Sequence, residues 1–424
     1  MLPTLDYKRI LLAIFLFAIS VAMIYGIIWL VFIRSTGEVT PGDNQPVGGG
    51  NLPGAGGSGG INIQGLGGKL PGSITTGGQG EGDTDGAQIE IDDVARGSLT
   101  KVSGFIDGEV RGLAKISNGF NYLSTKDNKF YFISSNGEVL PLSQEEFPFV
   151  DKVIWSPDGD RVILQYPDGA TISYDFVTNK TATLPRGMED PSFDPSSNNI
   201  VYKFTSGNAD DNWLVVSDTI NSKAEAIEPI GDQGDKVEVA WSPNNQMVAL
   251  YRKPIGLEKE EIFPVGLSGE NFKSFVVDGH NFSGIWSPKG DRIIYNIVTS
   301  ENNNNPMLWT VDIGSNISGQ NNFNLGITTW SEKCTFSNDN KIVYCAVPIN
   351  LPEGAGLYPE LLNTSEDVFY QINLETGISK MIAYPTLSAN LEKFQAQRLF
   401  VSDDNSKLYF WDNFTGKVYY MKLK

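Results

Sequence analysis

The chain has 424 residues, with 50 acidic and 32 basic side chains, a formal net charge of −18, one histidine and two cysteines. So few histidines and cysteines exclude a multi-histidine metal site and a four-cysteine zinc site. Lys8, Arg9 and Arg34 against Asp6 make residues 1–34 carry +2, so the remainder carries −20. With no basic tract in that remainder, neither nucleic acid nor an anionic lipid surface is an expected ligand, because both need clustered Lys and Arg.

Residues 1–9 form a short N-terminus. Residues 10–33 are 24 positions without a charge, interrupted only by Ser20, Tyr25 and Gly26. As a helix this run would be about 36 Å long, enough to cross a bilayer with some tilt. It exceeds the apolar core of a secretory signal peptide and lacks a clear cleavage site. An uncleaved single-pass anchor is expected, with a cleaved signal or a buried helix as the alternatives. Lys8 and Arg9 precede the run, while Arg34 is soon followed by Glu38 and Asp43. The positive-inside tendency then puts the N-terminus in the cytoplasm and the body outside the cell membrane.

In residues 34–88 glycine clusters (48–50, 56–57, 59–60, 77–78) alternate with isolated Pro, Asn and Gln. Such a segment buries too little apolar surface to offset its chain entropy and reads as a flexible tether. Its root-mean-square reach would be about 40 Å. Phosphate-cradling glycine loops sit between a strand and a helix, and neither flanks these clusters.

Residues 89–424 read as the folded body. Trp155-Ser-Pro-Asp-Gly runs into an apolar alternating stretch, Trp241-Ser-Pro-Asn-Asn repeats it, and Trp286-Ser-Pro-Lys-Gly repeats it again. Weaker copies start at Phe193, Phe336 and Val401, so the starts step by 38, 48, 45, 50 and 65 residues. Each copy is a β-hairpin in sequence form. Proline presets φ at the second turn position, and Gly or Asn tolerates the positive φ that closes it. All-strand repeats of this period predict the blades of a β-propeller.

Blade one, at 111–142, lacks the Trp-Ser-Pro signature but still reads as four short strands. Further blades are expected at 152–184, 190–230, 236–277, 282–327 and 332–384. Residues 398–424 supply only three strands, and the stretch 99–105 is the candidate for the missing outer one, which an exposed edge would otherwise leave open. Seven blades result, with six and eight left open.

The repeated Trp-Ser-Pro-Asp-Gly unit resembles the TolB-type, WD-like propeller family over roughly residues 110–424. It is also similar to the propellers that accompany the hydrolase domain of prolyl-oligopeptidase relatives. The first resemblance implies a non-catalytic protein-binding hub of a bacterial cell envelope. In it Trp155, Pro157, Trp241, Pro243, Trp286 and Pro288 form hairpins and pack blades. The second would imply catalysis from a separate domain, and no Gly-x-Ser-x-Gly nucleophile elbow occurs in residues 89–424; the Gly56-Gly57-Ser58-Gly59-Gly60 match lies in the glycine-rich stretch, without a flanking strand and helix.

Other candidate chemistry is sparse. His280 falls between blades and reads as a solvated loop residue without a partnered nucleophile. The Asp-Gly pairs at 107–108 and 158–159 lack the remaining ligands of a calcium loop. Glu145-Glu146 and Glu260-Glu261 read as solvated neighbours rather than a glycosidase pair. No cofactor is expected. The long connections 205–212, 253–261, 300–306 and 348–366 all join second to third strands, so they crowd one face, the usual binding face of such repeats. The longest holds Leu357, Tyr358, Leu361 and Leu362. Docking a partner and covering its own blade are both open for it.

Cys334 and Cys345 flank the hairpin of blade six. If Asp339 and Asn340 are its central residues, 334 faces 345, within reach of a disulfide, which an oxidising location favours. Two buried thiols are the alternative. Two functions therefore remain: a membrane-anchored binding scaffold, and a propeller hydrolase or lyase acting on an envelope glycan or peptide at the channel mouth. A propeller packed into a surface layer is a third, structural reading.

Overall fold

The computed structural model describes residues 90–388 and 390–424. Residues 1–9, 10–33 and 34–88, with the anchor and tether expected there, lie outside the described residues. Among those described, no helix is long and apolar enough to cross a membrane.

Seven antiparallel sheets follow one another in chain order, at residues 110–141, 152–184, 188–229, 237–277, 280–324, 334–386 and 396–422. The fold is an all-β, seven-bladed propeller. Seven apolar clusters fill the seven interfaces between neighbouring blades, the last joining blade 7 to blade 1 through Tyr409, Val418, Leu113 and Phe120. Burial is thus an inter-blade property, and no blade can bury its faces alone.

Six of the a–b hairpins share one turn. A Ser or Asp at its first position exchanges backbone bonds across the turn, as in Ser242 N–H to Met247 C=O at 2.8 Å. Its side chain accepts the backbone N–H five residues on: Ser156 from Arg161, Asp194 from Asn199, Ser242 from Met247, Ser287 from Arg292, Ser337 from Ile342 and Ser402 from Lys407. The fourth position is left-handed in all six, from φ 53° at Asn405 to 78° at Gly159. Gly or Asn occupies it in five, residues that accept this conformation at low cost, and Ser197 in the sixth. Pro157, Pro243 and Pro288 are exposed on these turns, so they shape the turn, and packing falls to the tryptophans. Trp155 Nε1 donates to Gly112 O of the preceding blade at 2.6 Å, and Trp286 Nε1 to Ala240 O at 3.2 Å. Trp241 Nε1 instead donates to Asn245 Oδ1 within its own turn. Blade 1 lacks the latch because a two-residue turn, Ser117-Asn118, joins its first strands.

Several sequence expectations need correction. Glu260 is not solvated but buried on the strand Lys259–Gly266, where its carboxylate accepts Phe282 N–H at 3.2 Å. The single outer strand expected at 99–105 is two strands, β1 (Ser98–Lys101) and β2 (Ser103–Ile106). β2 completes blade 7 against Val418–Lys422, whereas β1 adds a fifth, parallel strand to blade 6 along Ser379–Thr386. Residues 253–261 are not a loop. The strands Met247–Gly256 and Lys259–Gly266 continue past the sheet as a protruding hairpin whose tip is Leu257 and Glu258. His280 is not on a loop either, because it opens the inner strand His280–Trp286 opposite Val298.

Candidate functional site

The b–c connections of blades 4 to 7 lie on the face opposite the latched turns and hold one another in place. Glu258, at the tip of the blade-4 hairpin, accepts the Ser300 N–H of blade 5 at 2.9 Å. The blade-5 connection then carries the long 349–366 connection of blade 6. Gly354 and Gly356 N–H donate to Asn303 and Asn304 carbonyls at 2.8 and 2.9 Å, and Ala355 N–H to Asn305 Oδ1 at 3.1 Å. A Cβ at Gly356 would stand 2.7 Å from Asn304 O and Val298 Cγ2, so this close approach requires glycine. At its far end buried Gln395, just ahead of blade 7, donates to the carbonyls of Leu362 and Ser365. The 349–366 segment is therefore a strap pinned to both neighbouring blades.

Pinned at its ends, the strap shows its apolar middle to solvent. Leu357, Tyr358 and Leu361 are exposed, Tyr358 to 58%, while Leu362 is half-buried and Ala355 fully buried. On the same face are Leu257, 99% exposed, Ile255 on the blade-4 hairpin and Phe414 on the blade-7 turn. Among the described residues, eight of the fifteen exposed large apolar side chains lie on this insertion face, against four single ones on the turn face. Five of the eight, Ile255, Leu257, Leu357, Tyr358 and Leu361, stand on the linked connections of blades 4 to 6 and make up its crest. Glu353, Glu360 and Glu366 are the only charges between 349 and 366.

The channel wall is a second region of interest. The inner strands of blades 1, 3, 5 and 7 each carry a bulge with a left-handed residue: Gly112, Asp190, Asn281 and Arg398. Bulges re-aim side chains and concentrate near functional sites. Asp190 pairs with Lys203 at 2.7 Å and lies 4.0 Å from Lys152. Phe149, on the connection into blade 2, is 83% exposed at φ 62°, an uncommon conformation for an aromatic residue. Arg111 donates to the neighbouring Val150 carbonyl.

Glu238 on the inner strand Val237–Val239 accepts Gly284 N–H at 3.0 Å and Ser283 Oγ–H at 3.3 Å from blade 5. Desolvation pushes its carboxyl up to about 7, against the pull of Gly284, Arg252 and Ser283, with Asp190 adding to the rise. Among the described residues no group of three or more His, Cys, Asp or Glu is placed to hold a metal ion.

Cys334 and Cys345 face one another across the blade-6 hairpin, with Cα atoms 4.1 Å and Sγ atoms 2.13 Å apart. The register 336–343, 335–344, 334–345 is the one expected for a turn centred on Asp339 and Asn340. Sequence reading found the strap and the cysteine pair. It missed the pinning residues Asn303 to Asn305 and Gln395, the hairpin tip Leu257, and Glu238. Only Leu257 left a trace, as an aliphatic residue inside a Gly- and charge-rich stretch.

No family model matches the chain, and no curated protein matches it by sequence. Solved structures do. An oligogalacturonate lyase in complex with manganese superposes with a TM-score of 0.51 at 11% identity, covering 78% of this chain and 99% of that one. TolB from Acinetobacter baumannii gives a TM-score of 0.40 at 14% identity over 66% of this chain and 65% of its own. The Cps50 (Swd1) β-propeller domain of Myceliophteria thermophila gives 0.49 at 9% identity over 76% of this chain and all of its own. At 11% identity the likeness to the lyase concerns the fold alone.

Proposed function

We propose that this chain is a non-catalytic scaffold of the cell envelope, anchored in the cell membrane by residues 10–33 with the propeller outside, which docks a protein partner on its insertion face. The observation that supports this reading is the crest: Ile255, Leu257, Leu357, Tyr358 and Leu361 are exposed on segments that hydrogen bonds hold in place. A preorganised apolar surface loses little entropy on binding, and an exposed aromatic among aliphatic residues is the usual anchor of a protein interface. Replacing Leu357, Tyr358 and Leu361 by Ser should abolish capture of the partner from solubilised envelopes while the melting temperature stays put. Undiminished capture by the folded variant removes the crest from the function. The topology is checked separately. Protease added to intact cells should release the body by cutting within 34–88, and cutting only after lysis reverses the orientation.

One observation favours the alternative, a hydrolase or lyase acting on an envelope glycan or peptide at the channel mouth. A carboxyl held near 7 at the channel wall suits proton transfer at neutral pH. Turnover of a glycan and peptide panel by the wild type, lost in Glu238→Gln, would establish that reading. No cofactor is assigned to either.

A further inference from the structure

We propose that Lys333 and Asp367 condense to an isopeptide bond, a self-made covalent staple across blade 6. Lys333 ends the 3-10 turn Ser331–Lys333 that leads into the inner strand, and Asp367 opens the third strand, Asp367–Asn373. Their side chains are 1% and 0% exposed, and Nζ lies 2.7 Å from Oδ2. Phe369, Phe394, Ala396 and Phe410 form the apolar core around this seam between blades 6 and 7, and Gln395 ties the strap over it.

The surroundings supply what the condensation needs. Two full charges in such a place lose most of their hydration. Burial raises the Asp367 carboxyl, against the pull of Lys333, and the buried Asp412 carboxylate raises it further. The two carboxylates hang on consecutive backbone amides: Gln395 N–H donates to Asp412 Oδ1 at 2.8 Å and Ala396 N–H to Asp367 Oδ2 at 2.6 Å. A proton passing from the ammonium to Asp367 leaves a neutral amine, the nucleophilic form, against a neutral acid.

The two oxygens of Asp367 then differ. Oδ2 sits on the Ala396 N–H, a donor placed to stabilise the oxyanion of a tetrahedral adduct. Oδ1 has no hydrogen-bond partner and is the group free to leave. The Lys333 Nζ lone pair attacks Cγ, the Nζ–Cγ bond forms and the Cγ–Oδ1 bond breaks. The proton taken from the ammonium arrives on Oδ2 and moves to Oδ1 within the carboxyl, so Oδ1 departs as water with that proton and one from nitrogen, and no electrons change hands. Held in contact in a dry site, the groups gain the large effective concentration of an intramolecular reaction, up to about 10⁵–10⁸ M, which offsets the reluctance of amides to form in water. Lys333 adjoins Cys334, so this staple and the cysteine pair would together link the first three strands of blade 6.

The test is the intact mass of the purified full chain, reduced and denatured. The expected wild-type mass is one water below that of its sequence, and digestion should yield a branched peptide joining Lys333 to Asp367. Lys333→Arg, which keeps the charge, should regain the full mass. A wild-type mass with no water lost leaves an ordinary ion pair and overturns the proposal. So does a lost water that peptide mapping places elsewhere, as at Asp107-Gly108.

Discussion

On the turn face, six of seven blades close with the same latch, whereas on the insertion face the b–c connections vary from two residues in blade 4 to eighteen in blade 6. The same strands serve both ends. The turns are also linked sideways: Asn121 Nδ2 to Gly159 O, Asp158 N–H to Ser197 Oγ, Asn244 Nδ2 to Gly290 O, Asn338 Nδ2 to Ser402 O, and Lys115 to Asp403 around the closure. Repetition there sets the angle between blades. The other end is then free to vary, because its insertions hang on a ring already fixed. Repetition and variation are thus divided between the two mouths of one channel, and under the proposed function so are stability and recognition.

That division can be broken by experiment. The largest effect is expected on binding. Leu357→Ser, Tyr358→Ser and Leu361→Ser together should weaken partner affinity about a thousandfold, roughly 4 kcal/mol, as for a cluster of interface anchors. The matching turn-face variant, with Val177, Ile220, Ile317 and Ile378 changed to Ser, should leave affinity within about twofold by calorimetry. Equal losses would end the distinction between faces.

Next comes the covalent closure of blade 6. Removing the Cys334–Cys345 pair by double Ala substitution should cost up to about 3 kcal/mol for so short a loop. Titration of denatured, unreduced wild type should find no free thiol, and two free thiols per chain would refute the bond.

The latch itself should be worth less. Ser242 is fully buried and accepts Met247 N–H at 2.9 Å. Ser242→Ala strands that donor and should cost about 1–2 kcal/mol in urea unfolding. Ser206→Ala, on an exposed insertion-face connection, should cost under about 0.5 kcal/mol. If the two costs are equal, the turn face is not the stabilising one.

The smallest effect concerns Glu238. A carboxyl raised to about 7 in the folded state, from the ordinary range near 4.5, binds more protons folded than unfolded between those values. Its contribution is fully present below about pH 4.5 and is lost as pH rises through about 7. Glu238→Gln should remove on the order of 1 kcal/mol of that pH dependence, allowing for partial exposure. Wild-type and variant stability curves that run parallel from pH 5 to 8 would contradict it.

What the sequence made legible was whatever repeats or pairs locally. The six turn starts, the blade spans and the 334–345 register all follow from short-range rules. Proline drew attention as the mark of the turn, yet the shared element is the preceding Ser or Asp, visible even in the proline-free copies Phe336-Ser337 and Val401-Ser402. What stayed hidden depends on distant partners. Nothing in Ser98–Lys101 announces a parallel partner at Ala383 to Thr386, since alternation carries no strand direction. Lys-Pro-Ile-Gly-Leu looked like a loop because Pro and Gly usually end strands, but the ladder continues through Pro254–Glu260 to Gly256–Lys259, past the last pair of the outer strand at Glu260–Val277. Glu238 and Lys333 read as ordinary polar residues, because their burial is created by neighbouring blades.

The pairing of β2 with Val418–Lys422 has a consequence for how the ring comes to exist. Ser103 meets Tyr420, so the seam joins parts of the chain separated by nearly all of the propeller. Closing a loop of that length costs about 5 kcal/mol of chain entropy before any contact rewards it. During synthesis blades 1 to 6 can stack as they emerge, while β2 must wait, an unpaired edge, for the last strand to arrive. Closure is therefore the slow, late step of folding, and until it happens the open arc exposes at both ends the apolar faces that the finished ring hides.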